Sequence, residues 1–314
     1  MPTYLITGVA GFIGSNIARA LLAKGCHVRG VDNFITGKRD NLADLTGLDF
    51  IEGTIEDPAI CARACQGVDF IFHEAALASV PRSVADPIPT NSANVTGTLN
   101  LLTAARAASV KRVVYAGSSS AYGDQPTLPK HEGMLPAPIS PYAVSKLAGE
   151  HYMSCFTAVY GLETVVIRYF NVFGPHQDPS SQYSGVLAKF SLQMLQGQAP
   201  TVHGDGKQSR DFTFIENVVN ANLLAISAPA EKVSGRVFNV ATAQQITLND
   251  AIASLRELTG YTGPVHYGPV RAGDIEHSYA DISLARQALG YQPTVSFHEG
   301  LRRTIDWYRT LAAK

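Results

Sequence analysis

A tyrosine and a lysine stand four residues apart in a stretch whose pattern predicts a helix over residues 142–160. Tyr142 and Lys146 therefore share one helix face. A phenol is a poor base at neutral pH because its reference pKa is about 10, and a neighbouring ammonium favours the phenolate. The pair indicates a tyrosine that acts as a proton acceptor, although an ordinary amphipathic helix gives the same spacing.

Three consecutive serines could complete such a site. Ser118, Ser119 and Ser120 follow a predicted strand over residues 112–116. Ligands bind at the carboxyl ends of strands in open α/β sheets, so hydroxyls there are well placed to meet a substrate. Taken alone, the run is a polar loop.

A glycine-rich turn predicts a phosphate site. Gly8, Gly11 and Gly14 lie between a predicted strand over residues 4–7 and a predicted helix over residues 12–24. Residues without Cβ permit a tight turn and close approach of a pyrophosphate, and the helix N-terminus supplies free N–H groups. The spacing Gly-x-x-Gly-x-x-Gly differs from the standard dinucleotide fingerprint, but its position favours a dinucleotide cofactor.

Asp32 ends the next predicted strand, where a carboxylate accepts hydrogen bonds from ribose hydroxyls and repels a 2′-phosphate. This predicts NAD rather than NADP. Asn33 follows, so a turn-capping aspartate is the alternative. The basic residues Lys38 and Arg39 lie nearby and leave NADP open.

The first half of the chain alternates strands with helices, which predicts parallel pairing through right-handed crossovers. We therefore expect an α/β protein with a doubly wound parallel sheet of the Rossmann type. The predicted strands cover residues 4–7, 27–32, 49–52, 69–73, 112–116 and 163–168, and the predicted helices 12–24, 57–66, 95–108 and 142–160.

The regular alternation of strands and helices ends after Asn171. The later part of the chain is predicted to contain helices over residues 186–196, 215–227, 248–258 and 297–311 and a strand over residues 237–241. This predicts a second, smaller mixed α/β lobe, some segments of which return to the sheet. The expected division is a cofactor domain of residues 1–170 plus about 211–242, and a substrate domain of about 171–210 plus 243–314.

The composition narrows the function classes. The chain has 314 residues, 46% of them hydrophobic and 16% charged, which is enough to bury a sizeable core. A formal net charge of −1 does not attract nucleic acid or an anionic membrane. No apolar run is long enough to span a membrane, no leader pattern or metal-ligand spacing is evident, and the four cysteines suit free thiols. We therefore expect a cytoplasmic protein without a metal.

The glycine turn, Asp32, the serines and the Tyr142–Lys146 pair together resemble the extended short-chain dehydrogenases/reductases. The resemblance runs over essentially the whole chain. Three later segments, residues 168–171, 204–212 and 271–274, look like those of UDP-hexose 4-epimerases. Residues 76–83 are closest to the UDP-N-acetylglucosamine 4-epimerase subgroup.

This resemblance implies a reaction and its catalytic residues. Tyr142 takes the proton of the sugar 4-hydroxyl, Lys146 tunes Tyr142 and holds the nicotinamide ribose, and Ser119 hydrogen-bonds O4, with Ser118 as the close alternative. The C4 hydride passes to NAD, the 4-keto sugar turns over while UDP tethers it, and the hydride returns to the other face. The expected substrate pair is UDP-GlcNAc and UDP-GalNAc, with UDP-Glc and UDP-Gal as further substrates.

The resemblance also implies two sets of contacts. Cofactor contacts are expected at Gly8, Gly11, Phe12, Ile13, Gly14, Asp32, Asn33, Phe34, Thr36, Gly37, Ile55, Ala75, Ala76, Leu77, Asn94, Tyr142, Lys146 and Tyr169. Substrate contacts are expected at Ser79, Ser118, Ser119, Asn171, Gln177, Val186, Arg210, Arg271, Asp274 and Ser278. Arg210 and Arg271 suit a pyrophosphate, because a guanidinium pairs with phosphate oxygens in a bidentate manner.

Several departures bear on specificity. Thr54 stands where most relatives carry an aspartate that meets the adenine amino group, and Ser120-Ala121 stands where sugar dehydratases carry an acid pair. Ser278 matches a gatekeeper position at which a bulky tyrosine blocks acetylated sugars in some relatives. A UDP-glucuronic acid 4-epimerase, with His176 or Arg82 facing the carboxylate, and a non-catalytic NAD-sensing protein remain open. The helices over 95–108 and 142–160 resemble those of a four-helix dimer interface, so a homodimer is expected.

Overall fold

The structure is a computed structural model that describes residues 1–179, 185–270 and 276–312. Its strands, numbered in chain order, are β1 (Thr3–Thr7), β2 (His27–Asp32), β3 (Asp49–Glu52), β4 (Phe70–His73), β5 (Arg112–Ser118), β6 (Glu163–Tyr169), β7 (Val172–Phe173), β8 (Thr201–His203), β9 (Ser209–Arg210), β10 (Thr213–Phe214), β11 (Arg236–Val240), β12 (Ile246–Thr247), β13 (His266–Gly268) and β14 (His277–Ser278).

The α-helices are α1 (Phe12–Ala23), α2 (Pro58–Cys65), α3 (Val80–Ala85), α4 (Pro87–Asn91), α5 (Gly97–Ala107), α6 (Pro141–Tyr160), α7 (Val186–Leu195), α8 (Ile215–Ser227), α9 (Ala230–Val233), α10 (Leu248–Thr259), α11 (Ser283–Leu289) and α12 (Phe297–Ala312). Short 3₁₀ turns cover Arg39–Leu42 and Ser119–Tyr122, and a π-turn covers Ser92–Thr96. No helix among these elements combines the length and apolar character needed to cross a bilayer.

Seven strands form one parallel sheet in the order β11-β6-β5-β4-β1-β2-β3. Alternate residues of each strand face opposite sides. Ile6 and Phe72 belong to the core that includes α1 and α8, whereas Leu5 and Ile71 belong to the core that includes α2, α5 and α6. The predicted fold class, a doubly wound parallel sheet, is confirmed.

The strand–helix alternation predicted the element boundaries of the sheet closely. Strands His27–Asp32 and Asp49–Glu52 and helix Ile215–Ser227 have the predicted bounds. Strand β5 continues two residues beyond its predicted end, to Ser118. Helix α5 begins at Gly97 rather than at residue 95, because a π-turn precedes it.

Four short helices, α3, α4, α9 and α11, were not predicted, and the first two lie in the half of the chain that lines the pocket. Each of these two has a proline in its first turn and a capping side chain before it: Ser79 accepts from the backbone N–H of Arg82, and Asp86 accepts from that of Ile88. Helices of six and five residues are too short to show a hydrophobic period.

Small sheets lie beyond the main one. Strand β10 pairs with β7, β8 with β13, and β9 lies between β12 and β14. Strand β11 returns to the main sheet beside β6. The predicted division into two domains stays a prediction.

Candidate active site

A pocket opens at the carboxyl ends of β1, β2, β4 and β5. This is the edge at which ligands bind in doubly wound sheets. Most of the predicted cofactor contacts line it, namely Gly8, Gly11, Phe12, Ile13, Gly14, Asp32, Asn33, Thr36, Ile55, Ala75, Ala76, Leu77, Tyr142, Lys146 and Tyr169.

The glycine turn brings three backbone segments together at this pocket. Gly8 has a φ of +71°, and a Cβ there would lie 2.8 Å from the backbone of Ala75. A Cβ on Gly14 would lie 2.3 Å from the carbonyl oxygen of Gly8. Helix α1 begins after Gly11 without a side-chain cap, so its first N–H groups are left for a bound anion. The turn fits a pyrophosphate.

Asp32 ends β2 in the pocket wall and is almost fully buried. The backbone N–H groups of Ala10 and Phe34 donate to its two carboxylate oxygens, at 2.9 and 2.8 Å. Burial raises the pKa of Asp32, and these backbone hydrogen bonds lower it. They fix the carboxylate in place, which suits an acceptor for ribose hydroxyls.

The basic residues near Asp32 are paired with carboxylates. Lys38 Nζ lies 2.7 Å from Asp178, and Arg39 lies 2.9 Å from Glu52. The Arg39 guanidinium also covers the ring of Phe34, 4.1 Å from its centroid. These pairings oppose the recruitment of a 2′-phosphate, so the local charges fit NAD better than NADP.

Phe34, Gly37 and Asn94 are not among the residues that line the pocket, so their contacts with the cofactor stay predictions. A Cβ on Gly37 would lie 2.8 Å from Asp32 Oδ1, so glycine lets this loop approach the carboxylate. Asn94 accepts from the Leu77 N–H at 2.8 Å and donates to Ser145 Oγ at 2.9 Å. It thereby ties the pocket wall to helix α6.

Tyr142 lies in the first turn of α6, which Ser140 caps by accepting from the Ala143 N–H. Burial raises the pKa of Tyr142, and a hydrogen bond with the side chain of Ser118 lowers it. Ser118 Oγ also lies 2.8 Å from Ser120 Oγ. Within the described part of the chain, Ser119 makes no side-chain hydrogen bond of this kind, so Ser118 is the serine brought to the tyrosine.

Lys146 lies one turn further along α6, and its ammonium sits 4.5 Å from the ring centroid of Tyr115. Burial lowers the pKa of Lys146, while the carboxyls of Glu74 and Glu150 raise it. Glu150 is engaged by Arg168, whose Nη2 lies 2.7 Å from Glu150 Oε2, and both side chains are buried. Lys146 and Tyr142 thus line one end of the pocket, which we call the catalytic end.

The sequence analysis missed Glu74, which lines the catalytic end. It directly follows β4, as Ser118 ends β5. The rule that ligands meet the carboxyl ends of strands would have found it.

Three predicted substrate contacts come together in the second half of the chain. Asn171 Nδ2 donates to the carbonyl oxygen of Asp211 at 3.2 Å, next to Arg210. Arg210 lies opposite Ser278 in the β9–β14 pair and donates to the carbonyl oxygens of Ser209 and Glu276. Arg271 and Asp274 lie outside the described residues.

The other predicted substrate contacts have different surroundings. Gln177 Nε2 donates to the Val172 carbonyl at 3.3 Å, and Val186 opens helix α7. Ser79 caps α3. In the described ranges 1–179, 185–270 and 276–312, no cluster of His, Cys, Asp or Glu could hold a metal.

Comparison with known proteins identifies the family. The model of the NAD dependent epimerase/dehydratase family matches residues 4–241. A UDP-glucose 4-epimerase of Mycolicibacterium smegmatis is 38% identical over 310 residues, covering 97% of this chain and 98% of that protein. A UDP-glucuronate 4-epimerase of Thermodesulfobacterium geofontis is 32% identical over 327 residues, covering 98% of this chain and 96% of that protein.

Solved structures agree. The UDP-glucose 4-epimerase of Thermotoga maritima with UDP-glucose superposes with a TM-score of 0.94 at 38% identity, covering 99% of each chain. The UDP-N-acetylglucosamine 4-epimerase of Methanobrevibacter ruminantium with UDP-N-acetylmuramic acid gives 0.93 at 38% identity, covering 99% of each chain. The UDP-glucose 4-epimerase of Thermus thermophilus with NAD gives 0.89 at 36% identity, covering 98% of this chain and 99% of that chain.

The fold and the pocket therefore define a dinucleotide-dependent enzyme of the extended short-chain dehydrogenase/reductase type. This chain belongs to the NAD dependent epimerase/dehydratase family, and its cofactor is NAD.

Replacing Asp32 by alanine should reduce the preference for NAD over NADP. The variant removes the charge that repels a 2′-phosphate, and it loosens the Ala10 and Phe34 backbone for both cofactors alike. The dissociation constant of NADP divided by that of NAD, both measured by calorimetric titration, should fall by about tenfold or more. A tenfold fall corresponds to roughly 1.4 kcal/mol of binding free energy. Asp40→Ala, which removes an exposed carboxylate of the same loop, should leave the ratio unchanged.

Proposed function

We propose that this chain is an NAD-dependent UDP-hexose 4-epimerase whose preferred pair is UDP-GlcNAc and UDP-GalNAc. The observation that carries the proposal is the catalytic end of the pocket, where Tyr142, Ser118 and Lys146 meet at one end of a dinucleotide site. Inverting a secondary alcohol through a ketone requires a proton acceptor beside a hydride acceptor. In this arrangement Tyr142 is the proton acceptor, and the dinucleotide site beside it holds the hydride acceptor.

Tyr142 accepts and returns the proton of the sugar 4-hydroxyl. Burial alone disfavours its phenolate, so the tyrosine needs help to act as a base. Ser118 gives part of that help by donating its hydroxyl proton to the phenol oxygen, and its own oxygen can accept a hydrogen bond from the 4-hydroxyl of the sugar. This hydrogen bond supports Ser118 in the role that the resemblance gave first to Ser119.

Lys146 holds a positive charge at the same end of the pocket. Its ammonium lies over the Tyr115 ring, a cation–π contact that keeps it beside the sheet. The bound NAD supplies reversible uptake of the hydride from C4. The protein's part is to fix the proton acceptor, the charge and the pocket wall around that carbon.

The nucleotide anchor is proposed for the second half of the chain. Arg210, Asn171 and Ser278 lie close together around the β9–β14 pair. Arg210 suits the pyrophosphate, and Asn171 suits phosphate or sugar oxygens. Because the anchor holds the nucleotide and not the hexose ring, the ketone can turn over without leaving.

The choice of sugar rests on Ser278. Its backbone pairs with Arg210, so a side chain there borders the proposed nucleotide–sugar site. A small residue leaves room for a 2-acetamido group as the ketone turns. The relative that carries UDP-N-acetylmuramic acid, at 38% identity, supports an acetylated substrate.

Two alternatives are distinguished by products. For a UDP-glucuronic acid 4-epimerase, His176 is poorly suited as the cation. Its ring packs at a tilt against that of Trp307, with the centroids 5.1 Å apart, and burial lowers its pKa to about 4. A non-catalytic NAD-sensing protein has no use for a tyrosine–serine hydrogen bond. Incubating the purified protein with UDP-GlcNAc, UDP-Glc and UDP-glucuronic acid separately, and identifying the products, separates the three.

We also propose a homodimer through α5 and α6. The exposed face of α6 presents Val144, His151, Cys155 and Val159 at spacings of seven, four and four residues, one stripe of a helix. Such a stripe, with two exposed valines, suits packing against the α5 and α6 helices of a second copy of this chain.

Tyr142→Phe should abolish epimerisation while leaving the fold and nucleotide binding intact, because only the proton-carrying hydroxyl is removed. Loss of a positioned acid–base group costs about 10² to 10⁴ in rate. The measurement is kcat for UDP-GlcNAc, with UDP affinity as the control for folding. Near-normal kcat in the variant would refute the proposed role of Tyr142.

Ser118→Ala should lower kcat more than Ser119→Ala does. Ser118 hydrogen-bonds Tyr142, so its loss raises the pKa of the phenol, whereas Ser119 is a matched hydroxyl one residue away. We expect the ascending limb of the kcat–pH profile to move to higher pH in the Ser118 variant alone. An equal or larger effect in the Ser119 variant would return the role to Ser119.

Ser278→Tyr should suppress turnover of UDP-GlcNAc far more than that of UDP-Glc, because the phenol ring occupies the space of the acetamido group. The readout is the ratio of kcat/KM for the two substrates in wild type and variant. Ser278→Ala, which keeps the side chain small, should leave the ratio near that of the wild type. A ratio that the tyrosine does not change would remove the support for acetylated substrates.

A further inference from the structure

The catalytic end of the pocket contains a carboxyl group that the mechanism above does not use. Glu74 directly follows β4, and its side chain lines the pocket with Tyr142, Lys146 and Tyr169. Between β4 and β6, strand β5 presents Ala116 and Gly117 to the same pocket. These small residues leave room for groups from the flanking strands to meet across β5.

Tyr169 and Asn222 fix the position of this carboxyl. Tyr169 Oη lies 2.9 Å from Glu74 Oε1. Asn222 Nδ2 lies 2.9 Å from Tyr169 Oη and 2.9 Å from the Val218 carbonyl oxygen, so its two hydrogens are used there. The tyrosine oxygen therefore accepts from the asparagine, and its own proton has two acceptors in reach, Glu74 Oε1 at 2.9 Å and Asn222 Oδ1 at 3.1 Å, of which Glu74 is the nearer. Burial raises the pKa of Glu74 to about 7, whereas this hydrogen bond and the Lys146 ammonium lower it, so these two contacts are what favour its carboxylate form.

Glu74 is the carboxylate left to balance Lys146. Two carboxyls act on the Lys146 ammonium, those of Glu74 and Glu150. Arg168 already engages both oxygens of Glu150, with Nε at 3.0 Å from Oε1 and Nη2 at 2.7 Å from Oε2. Because Glu150 and Arg168 cancel one another, the uncompensated charges at this end are the Lys146 ammonium and the Glu74 carboxylate. A buried ammonium without a counter-charge is costly.

The other titratable groups packed around this end are neutral near pH 7. Burial raises the pKa values of Tyr115, Tyr142 and Tyr169 above their usual range. His73 at the end of β4 is held between Thr7 and Thr98, at 2.8 and 2.9 Å, and burial lowers its pKa to about 3. The electrostatic balance at the catalytic end therefore depends on Lys146 and Glu74.

This balance bears on the oxidation state of the cofactor. In the proposed reaction the hydride leaves C4 and the proton leaves O4, the oxygen bonded to C4. Because C4 and O4 are adjacent, the hydride acceptor and the proton acceptor must lie close to one another. The ring that accepts the hydride therefore belongs at the Tyr142 end. Oxidised nicotinamide carries a positive charge that the reduced ring lacks, and a carboxylate in the wall distinguishes the two.

We propose that Glu74 is a positioning residue that balances Lys146 and makes the catalytic end of the pocket favour oxidised over reduced cofactor. The inference rests on the proposed function only in placing hydride transfer beside Tyr142. Without this carboxylate, the ammonium would face a cationic ring unopposed, and the reduced form would be favoured.

The test is the midpoint potential of the bound cofactor in the holoenzyme, measured by redox titration with the ultraviolet absorbance of reduced nicotinamide as the signal. Glu74→Gln keeps an acceptor for Tyr169 and removes the charge. We expect it to favour the reduced form about tenfold, a rise of about 30 mV for a two-electron couple. Glu52→Gln, which removes a carboxylate at the opposite end beside Arg39, is the matched control and should leave the potential unchanged.

A merely structural role would not move the potential, since looser binding affects both oxidation states alike. A potential in Glu74→Gln equal to that of the wild type, or an equal rise in Glu52→Gln, would overturn the proposal. If the glutamine variant fails to fold, Glu74→Met, which fills the space without charge, must show the same rise. The redox titration uses no sugar. If the protein epimerised no UDP-hexose, the proposed function would be refuted, and the titration would still test the role of Glu74.

Discussion

The close approach of helix α6 to the main sheet is the constraint on which the site depends. A Cβ on Gly149 would lie 2.2 Å from Tyr115 Oη, so glycine at this position lets α6 rest on β5. The Tyr115 hydroxyl donates to the Lys146 carbonyl at 3.3 Å. One turn of helix therefore sets the height of Tyr142 and Lys146 above the strand ends. A larger residue at position 149 would lift both of these side chains from the pocket together.

The close approach of α6 to the sheet buries charged side chains, and these form ion pairs with one another. Glu150 follows Gly149 and pairs with Arg168 of β6, whose guanidinium also lies 4.6 Å from the Tyr122 ring centroid. Removing one partner of such a buried pair is far more destabilising than replacing both, because it leaves a lone buried charge. The pairing thus locks α6 to β6 and leaves Glu74 and Lys146 as the charges that a ligand meets.

How much of this could be read from the sequence differs between the two halves of the chain. In the first half most strands of the sheet are largely buried and the longer helices have one buried face, so apolar runs and turn glycines predicted the sheet and most of the pocket. The predicted family, enzyme class and cofactor are confirmed. Glu74 escaped notice because a single acidic residue after a strand looks like any polar loop residue. The sequence did not determine whether Ser118 or Ser119 contacts Tyr142. Side chains of consecutive residues point in different directions, and the exact end of β5 was not predicted.

In the second half the small strands have two or three residues, too few for any period to show. Their positions depend on long-range contacts such as those of Asp211, which accepts from Thr242 and from the Ala280 N–H. Of the anchor residues predicted by resemblance, Arg210 and Ser278 lie in one strand pair, whereas Arg271 and Asp274 fall outside the described residues. Local sequence does not determine such placements.

This difference between the halves has a functional consequence. The proposed proton acceptor and the charges around it stand on helix α6 and on the ends of the main strands, whose geometry leaves little freedom. The proposed sugar contacts stand on short strands and loops that separate segments bring together. Substitutions there can reshape the sugar space without moving Tyr142 or Lys146. Relatives at 32–38% identity are named for glucose, N-acetylglucosamine and glucuronate, and under the proposed function the second half of the chain is where the choice among such hexoses would be made.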